Sequence, residues 1–212
     1  LAALHRAPAG ERPMVLASKS SLEALGDGFD DPVLRRLWTP AVVDKLSDST
    51  RDADATFTLS LRDTECSPDG YVRMCSDVQC LAATGDAAAV AECLAWNNET
   101  QAQGPTLRLK LGDVVDVKVH NHKSEAAASL HFHGVHMPGT PYNDGASMIS
   151  QAPLAPGVAE TVRFLAYPAG TYFYHGHQGV DYADGMRGII VIEDDEEHYY
   201  DAFVDSCEEL LF

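Results

Sequence analysis

The sequence predicts an all-β fold, a sandwich or a barrel, preceded by an irregular and partly helical N-terminal extension. After residue 55, apolar and polar residues alternate in at least six short segments, which is typical of strands with one buried face. Stretches rich in turn-forming residues separate these segments. No long amphipathic helix pattern interrupts them, so we expect two packed sheets or a closed barrel.

Each strand is predicted from its own apolar alternation. The segment 56–62 alternates Phe57, Leu59 and Leu61 with Thr and Ser. The segment 106–121 holds two strands on either side of a Gly-Asp turn, because first Leu and then Val alternate with polar residues. Further short strands are predicted at 129–137, 160–167, 171–177 and 187–194.

The two ends of the chain lack this pattern. Residues 1–52 show no strand alternation, and DPVLRRLWTPAVVDKLSD at 31–48 favours short helical turns broken at Pro40. We expect this extension to pack against the main domain, and the alternative is a partly disordered arm. The main domain is predicted at 53–196. Residues 197–212 are predicted to begin a following domain that is truncated here.

Composition excludes several classes of partner. The chain has 212 residues, of which 45% are hydrophobic, enough for a real core. Its formal net charge is −17 and its pI is about 4.7. Because so acidic a surface repels phosphate backbones and anionic lipid, we expect no nucleic-acid partner. No stretch approaches the roughly 18–20 continuous apolar residues of a membrane span, so no transmembrane segment is expected in this part.

Four of the five cysteines lie close together in a Gly/Asp/Ala-rich stretch without histidines. Zinc sites usually show CxxC pairs or Cys/His mixtures, so two disulfides stapling an inserted loop at about 64–95 are the favoured interpretation. Three pairings remain open, and Cys207 is left over. The N-glycosylation pattern Asn98–Thr100 and the cysteine cluster together favour a secreted glycoprotein. The four clustered cysteines are Cys66, Cys75, Cys80 and Cys93.

Two motifs, LHFHGVH and FYHGHQG, share a His-x-His spacing. Residues i and i+2 of a strand point to one face, so His131 and His133 project together, as do His175 and His177. If the two strands are neighbours, four imidazoles converge, a donor set that suits copper or zinc rather than calcium or magnesium. A single such pair is usually incidental, whereas two pairs beside glycines and aromatics favour a metal site. The flanking residues are Phe132, Gly134, Tyr174 and Gly176.

The remaining histidines give weaker signals. His120 and His122 also have the His-x-His spacing, but they end a strand beside Lys and Glu, so a solvated strand end is favoured. His136 is expected to line the loop below the site. His5 and His198 lie in polar surroundings and receive no role.

The chain resembles the N-terminal cupredoxin domain of multicopper oxidases, the family of laccases, ascorbate oxidases and ferroxidases. The motifs that carry the resemblance occur in the family's order: GPTLRLKLGDVVDVKVHN, LHFHGVH, NDG, QAPLAPG and GTYFYHGHQGVDYADGMRGIIVIED. It covers about residues 55–205, with the cysteine segment as an insertion. The resemblance implies a cupredoxin-like Greek-key β-sandwich or barrel. It also implies a secreted oxidoreductase that oxidises its substrate in single-electron steps and reduces dioxygen to water.

The resemblance also implies roles for individual residues. In the family the two histidine pairs supply half the ligands of a trinuclear copper cluster. By this resemblance, His131 would bind the type 2 copper, His133 and His175 one copper of the type 3 pair, and His177 the other. Asp144 in YNDG matches an acidic residue that hydrogen-bonds near the type 2 site and helps to deliver protons. From the residues alone, Asp144 is equally well read as an ordinary turn aspartate.

Parts of the family pattern are missing from these residues. In the family, HxxHxH and HCHxxxH motifs of a C-terminal domain complete the cluster and supply the type 1 copper site. Neither motif occurs here, and no cysteine is flanked by histidine. Ala152 stands where many members have cysteine, which removes a disulfide but no ligand. We therefore expect the N-terminal part of an oxidase that is active only with C-terminal cupredoxin domains of the same protein.

The resemblance implies dioxygen and a reducing substrate as further partners. The sequence leaves the reductant open among phenols, ferrous or manganous ions and ascorbate-like compounds. A copper nitrite reductase is disfavoured, because it needs a type 1 cysteine and does not show two His-x-His pairs at this spacing. The alternative is a non-catalytic copper-binding or interaction module of the same fold. A downstream HCHxxxH motif would distinguish the oxidase from this module.

Overall fold

The computed structural model describes residues 10–12, 14–67, 70–95 and 103–194. Within these ranges the elements follow the order that the sequence predicts, with helices first and then mainly strands. The helices are α1 (Lys19–Gly26), α2 (Pro32–Leu37), α3 (Pro40–Ser47) and α4 (Ala87–Ala95). The strands are β1 (Ala55–Cys66), β2 (Arg73–Thr84), β3 (Leu107–Lys110), β4 (Val114–Asn121), β5 (Leu130–His133), β6 (Ala159–Leu165), β7 (Gly170–Gly176) and β8 (Arg187–Glu193).

The strands form two four-stranded sheets that share one apolar core. The first sheet has the order β2-β1-β4-β6 and the second the order β3-β8-β7-β5. Strand alternation sends one set of side chains between the sheets, so that the rings of Phe132 on β5 and Phe164 on β6 lie 5.5 Å apart. Each sheet contains one parallel pair, β1 with β4 and β3 with β8, which requires crossover connections. The predicted all-β sandwich is confirmed.

The cysteine segment contains the strand that the sequence did not predict. Instead of a loop, β2 pairs antiparallel with the whole length of β1, and α4 follows it. Two disulfides form, as expected: Cys66–Cys75 ties β1 to β2, and Cys80–Cys93 ties β2 to α4. The loop prediction was wrong because β2 buries a run of consecutive residues, from Cys75 to Val78, rather than alternate ones.

The described part of the N-terminal extension is helical and packed. Helix α1 is capped by Ser18, while Pro32 and Pro40 occupy the first turns of α2 and α3, where proline is well tolerated. The helices bury Leu22 and Trp38, among others, in a second apolar cluster with residues of β4 and β6. Pro40 therefore begins a helix instead of interrupting one. The described extension is no disordered arm.

Arg163 on β6 fixes the end of this helical layer to the first sheet. Its guanidinium makes two bonds to the carboxylate of Asp116 on β4, at 2.6 and 2.7 Å. It also donates to the carbonyls of Lys45, Asp48 and Arg51, at 2.8, 2.7 and 3.0 Å. These contacts use all five N–H donors of the side chain. The charge is thus fully satisfied although the residue is buried.

Some predictions concern residues outside the described ranges. These are the glycosylation pattern Asn98–Thr100, Cys207, His5, His198 and the start of a further domain at 197–212. The domain limits at 53 and 196 likewise stay predictions. Among the described helices, none combines the length and apolar character needed to cross a membrane.

Candidate metal centre

The histidine pairs lie on two strands that are hydrogen-bonded neighbours. Strands β5 and β7 pair antiparallel, with His131 directly opposite His175 and His133 opposite Phe173. Phe132, between the first two histidines, and Tyr174, directly before His175, point the other way and are fully buried in the core. Phe132 and Tyr174 thus fill the sandwich, and the alternation along each strand leaves the imidazoles together on the outer face of the second sheet.

Three imidazoles meet on this face. The ligand nitrogens of His131, His133 and His175 all lie within 4.8 Å of one another. Nδ1 of His133 is 3.3 Å from Nε2 of His175. Two imidazole nitrogens that bind one metal at about 2.0–2.1 Å and a tetrahedral angle lie about 3.3–3.4 Å apart. This spacing therefore fits a shared metal ion, and the all-nitrogen donor set fits copper.

His177 lies beside the three-histidine group without joining it. It follows the last residue of β7, and its N–H donates to the carbonyl of Ser129 at 3.2 Å. The centre of its ring is 5.4 Å from that of His131 and 6.0 Å from that of His175. The four histidines thus border one space, with His177 at its outer end.

Asp144 contacts His131 directly. The Nδ1 of His131 lies 2.8 Å from the carbonyl oxygen of Asp144 and 3.0 Å from its Oδ1. Both oxygens accept, so Nδ1 carries the proton and Nε2 keeps its lone pair for a ligand. Burial lowers the pKa of His131, but the hydrogen bonds and charge of Asp144 outweigh burial and leave this pKa above its ordinary value.

Gly145 brings Asp144 this close. A Cβ at position 145 would lie 1.7 Å from the carbonyl oxygen of Leu130, and the residue has a φ of +75°. Only glycine fits this approach without displacing the backbone of β5. The sequence predicts a turn at NDG but indicates no role for Gly145, because a close approach to a strand elsewhere in the chain produces no local sequence pattern.

His175 is oriented by its own neighbour along the chain. Its Nδ1 lies 3.0 Å from the carbonyl oxygen of Gly176, which only accepts, so Nε2 is left as the ligand atom. Burial lowers the pKa of His175, and the nearby imidazoles lower it further, whereas the hydrogen bond to Gly176 raises it by less. The side chain is therefore neutral at neutral pH, which is the form that binds metals.

Aromatic rings cover one side of the group. The ring of Phe173 stacks on that of His133 at 4.6 Å, and Tyr182 lies 4.6 Å from His175. Tyr182 belongs to the turn between β7 and β8, and sequence reasoning missed it because it lies outside both histidine motifs. The opposite side is open, since His133 is exposed.

The other described histidines lie away from the group of three. His120 and His122 stack on each other at 5.4 Å, and Nδ1 of His122 is 2.6 Å from the hydroxyl of Ser60. His136 is exposed, and its ring lies 5.6 Å from that of Tyr167. None of them belongs to the metal-binding group found among the described residues.

Residues 82–197 match the model of a protein family described as multicopper oxidase. The chain belongs to this family. It is 39% identical over 95 residues to the iron transport multicopper oxidase FET3 of Gibberella zeae, covering 45% of this chain and 15% of that protein. It is 40% identical over 105 residues to the L-ascorbate oxidase of Nicotiana tabacum, covering 48% of this chain and 18% of that protein.

Solved structures of multicopper oxidases share the fold. The crystal structure of Fet3p, a multicopper oxidase that functions in iron import, matches with a TM-score of 0.53 and 30% identity, over 68% of this chain and 24% of that one. The laccase of Botrytis aclada matches with a TM-score of 0.52 and 27% identity, over 65% and 22%. The chain thus spans about a sixth to a quarter of these relatives. The predicted cupredoxin-like fold and the predicted oxidoreductase family are confirmed.

Proposed function

We propose that this chain is the N-terminal part of a secreted multicopper oxidase and contributes half of a trinuclear copper cluster. The observation that carries the proposal is the meeting of His131, His133 and His175 on two paired strands. Bound copper would supply one-electron redox chemistry and the place where dioxygen is reduced to water. The protein's own contribution is to hold the imidazoles, fix their tautomers and limit access by water.

Each histidine has a proposed ligand role. His133 and His175 would bind one copper of the type 3 pair, and the 3.3 Å between their nitrogens supports this assignment. His131 would bind the type 2 copper through Nε2, since Asp144 occupies its Nδ1. His177 would bind the second type 3 copper, which agrees with its position at the end of the group.

Asp144 would act through His131 and as a proton donor near it. Its carboxylate orients the imidazole and favours the protonated Nδ1. The side chain is about one third exposed, so it can exchange protons with solvent as well as with the site. This combination supports the role in proton delivery that the sequence resemblance implies.

The site needs a second half from outside these residues. The histidine group is open on the side of His133. Exposed apolar residues lie nearby: Tyr182 beside His175, and Met148 and Ile149 next to Ser147, whose hydroxyl bonds to Gln178 at 2.7 Å. C-terminal cupredoxin domains of the same protein would cover this surface and complete the cluster. Copper would then be shared between the two halves.

The reducing substrate would be a phenol, a metal ion or an ascorbate-like compound. The relatives named above include an iron transport oxidase, an ascorbate oxidase and a laccase, so kinship does not choose among these classes. Secretion is supported by the two disulfides, which persist in oxidising compartments and are rare in the cytosol.

The proposal is tested by copper quantification and low-temperature EPR on the full-length protein. We expect type 1 and type 2 signals together with EPR-silent copper. His133→Ala and His175→Ala should each abolish the type 3 absorption and oxygen uptake, because each removes a ligand of the same copper. His120→Ala, on a histidine outside the group, is the matched control and should change neither.

Two results would contradict the proposal. Unchanged copper content and oxygen uptake in both variants would exclude the histidine group as the copper site. A single isolated type 2 signal in the wild-type protein, without oxygen uptake, would favour the non-catalytic copper-binding module.

A further inference from the structure

Lys123 is buried in a network of polar side chains that the proposed function does not use. Its Nζ lies 2.6 Å from Oδ1 of Asp181, 2.8 Å from Oγ of Ser76 and 3.1 Å from Oδ1 of Asp63. The hydroxyl of Ser76 also donates to Asp181 at 3.2 Å. The side chains of Lys123 and Asp181 are only 3% and 9% exposed. Burial lowers the pKa of Lys123, but both carboxylates raise it by more, so the lysine is charged.

This network, which we call the Lys123 network, joins the two sheets. Asp63 and Ser76 belong to β1 and β2, and Lys123 follows β4, so three members come from the first sheet. The N–H of Lys123 donates to the buried side chain of Asn121 at 3.0 Å, which fixes its backbone. Asp181 is the fourth member and lies in the 177–186 loop after β7 of the second sheet. The network therefore holds that loop against the first sheet.

Asp181 is in turn tightly joined to the backbone beside the histidines. A Cβ on Gly176, the residue between His175 and His177, would lie 2.6 Å from the Cβ of Asp181. The N–H of Asp181 donates to the carbonyl of Gln178 at 3.2 Å, the residue after His177. A displacement of Asp181 would therefore be passed directly to the backbone of His177.

The same loop carries the aromatic cover of the site. Tyr182 follows Asp181 and lies 4.6 Å from the ring of His175. The loop is also held by its backbone, because the N–H of Ser76 donates to the carbonyl of Asp184 at 3.1 Å. The position of Asp181 thus decides where both His177 and Tyr182 lie relative to the three-histidine group.

Stability alone does not account for a buried charge pair at this place. Taking two charges out of water is costly, and apolar residues of similar volume often hold a fold equally well or better. Asp181 also keeps one buried oxygen, Oδ2, without a hydrogen bond from the described residues. Unlike apolar packing, the ion pair provides a directed contact between two defined atoms.

We propose that Lys123 and Asp181 are a positioning pair, which fixes the 177–186 loop and thereby sets His177 and Tyr182 around the copper site. The proposal rests on the proposed function only in that the histidines are taken as copper ligands. The position of the loop itself is independent of copper and can be measured without it.

The test uses Asp181→Asn and Lys123→Met in the full-length protein. In copper-free protein, amide hydrogen exchange in the 177–186 loop should rise about tenfold or more, because each variant removes a charged hydrogen-bond partner of the loop. In copper-loaded protein, the type 3 absorption should change and oxygen uptake should fall, because His177 and His175 are the proposed type 3 ligands. The double variant Lys123→Met/Asp181→Asn removes both charges, so it avoids an unpaired buried charge, and its loop exchange should still be raised.

Asp116→Asn is the matched control, since it also weakens a buried ion pair but lies on the first sheet beside Arg163. It should lower the melting temperature without changing loop exchange or the type 3 absorption. Wild-type loop exchange in the double variant would overturn the proposal, whatever its stability. Should the wild-type protein bind no copper, the proposed function would fail, whereas the exchange measurement would still decide the role of the pair.

Discussion

Arg163 and the three-histidine group are two polar sites in one sandwich, and the fold treats them in opposite ways. The guanidinium of Arg163 finds a protein acceptor for every N–H that it carries. At the histidine group, the ligand nitrogens of His133 and His175 face each other at 3.3 Å instead. Among the described residues, backbone carbonyls accept from Nδ1 of His131 and of His175, which leaves Nε2 of each facing the group. The first site is complete in the folded chain, whereas the second leaves imidazole nitrogens available for the proposed copper.

The comparison indicates where stability and function lie. The helical layer over β4 and β6 combines the Arg163 bonds with an apolar cluster around Leu22 and Trp38. A further tie is the hydroxyl of Tyr167, which donates to Asp31 at the start of α2. Burial and this bond raise the pKa of Tyr167 to about 12, so the phenol stays protonated. On the histidine face, by contrast, His133 is exposed, so substitutions on the two sides should have separable effects.

The largest expected effect is that of Arg163→Met on stability. Removing the guanidinium deletes its bonds to the carboxylate of Asp116 and to three carbonyls, of which that of Asp48 still accepts from the N–H of Arg51. The loss of one partner from a buried ion pair costs about 3–5 kcal/mol of unfolding free energy. Chemical denaturation of the full-length protein measures this, and copper spectra of the folded protein should be unchanged.

Lys110→Met is the control for Arg163→Met. Lys110 also pairs with a carboxylate, that of Asp86 at 4.0 Å, but both side chains are 50% exposed. Such a pair contributes about 0–1 kcal/mol. Equal losses in the two variants would show that the helical layer is not anchored through Arg163.

Gly145→Ala should have the next largest effect, this time on the histidine side. The new methyl group cannot fit beside the carbonyl of Leu130, so the turn must move and take Asp144 away from His131. Loss of a hydrogen-bonding partner of a ligand histidine typically weakens metal affinity by about 10–100-fold. Competition titration with a copper chelator would detect this weakening.

Gly157→Ala separates the two causes of the Gly145→Ala effect. Gly157 has almost the same φ, +76°, but no atom lies within 4 Å of the added Cβ. It therefore carries the backbone strain of a positive φ without the collision. If both alanine variants weakened copper binding equally, the close approach at Gly145 would not be what holds Asp144 in place.

Most of the fold could be predicted because alternation is a local property. Leu107, Val117 and Phe164 each lie on the apolar side of an alternating segment, and each is buried in the shared core. The convergence of His131 and His175 needed one further assumption, that their strands are neighbours. Strand β2 was not predicted because it is an edge strand that buries consecutive residues and contains two half-cystines. Its apolar and polar residues therefore do not alternate.

Residues whose role depends on distant partners could not be predicted. Arg163 falls between Val162 and Phe164 in an alternating segment, which predicts a solvated outer face, yet α3 covers it. Lys123 and Asp181 look like ordinary surface residues in the sequence. They are buried only because the 177–186 loop folds back on the first sheet. The chain topology brings such residues together from distant positions, so no spacing in the sequence indicates that they are paired.

The smallest effect concerns Glu160, an intermediate case between the two sites. Its carboxylate is buried and bonds to Gln151 at 2.6 Å, with Arg12 at 3.4 Å. Burial raises the pKa of Glu160 above its ordinary value of 4.5, and the charge of Arg12 and the bond from Gln151 only partly offset this. A carboxyl with a raised pKa binds its proton more tightly in the folded state, so its contribution to stability falls as the pH rises from 4.5 towards the folded pKa.

Glu160→Gln removes this titration. The free energy of unfolding of the variant, relative to wild type, should therefore increase as the pH rises above about 4.5. Denaturation curves at a series of pH values above 4.5 measure the difference. A difference that is constant with pH would mean that the contacts with Arg12 and Gln151 fully offset the burial of the Glu160 carboxylate. Glu160 would then be as completely paired as Arg163 is by Asp116 and the three carbonyls. Within the described part of the chain, the contrast between complete and incomplete polar sites would then be confined to the histidine group.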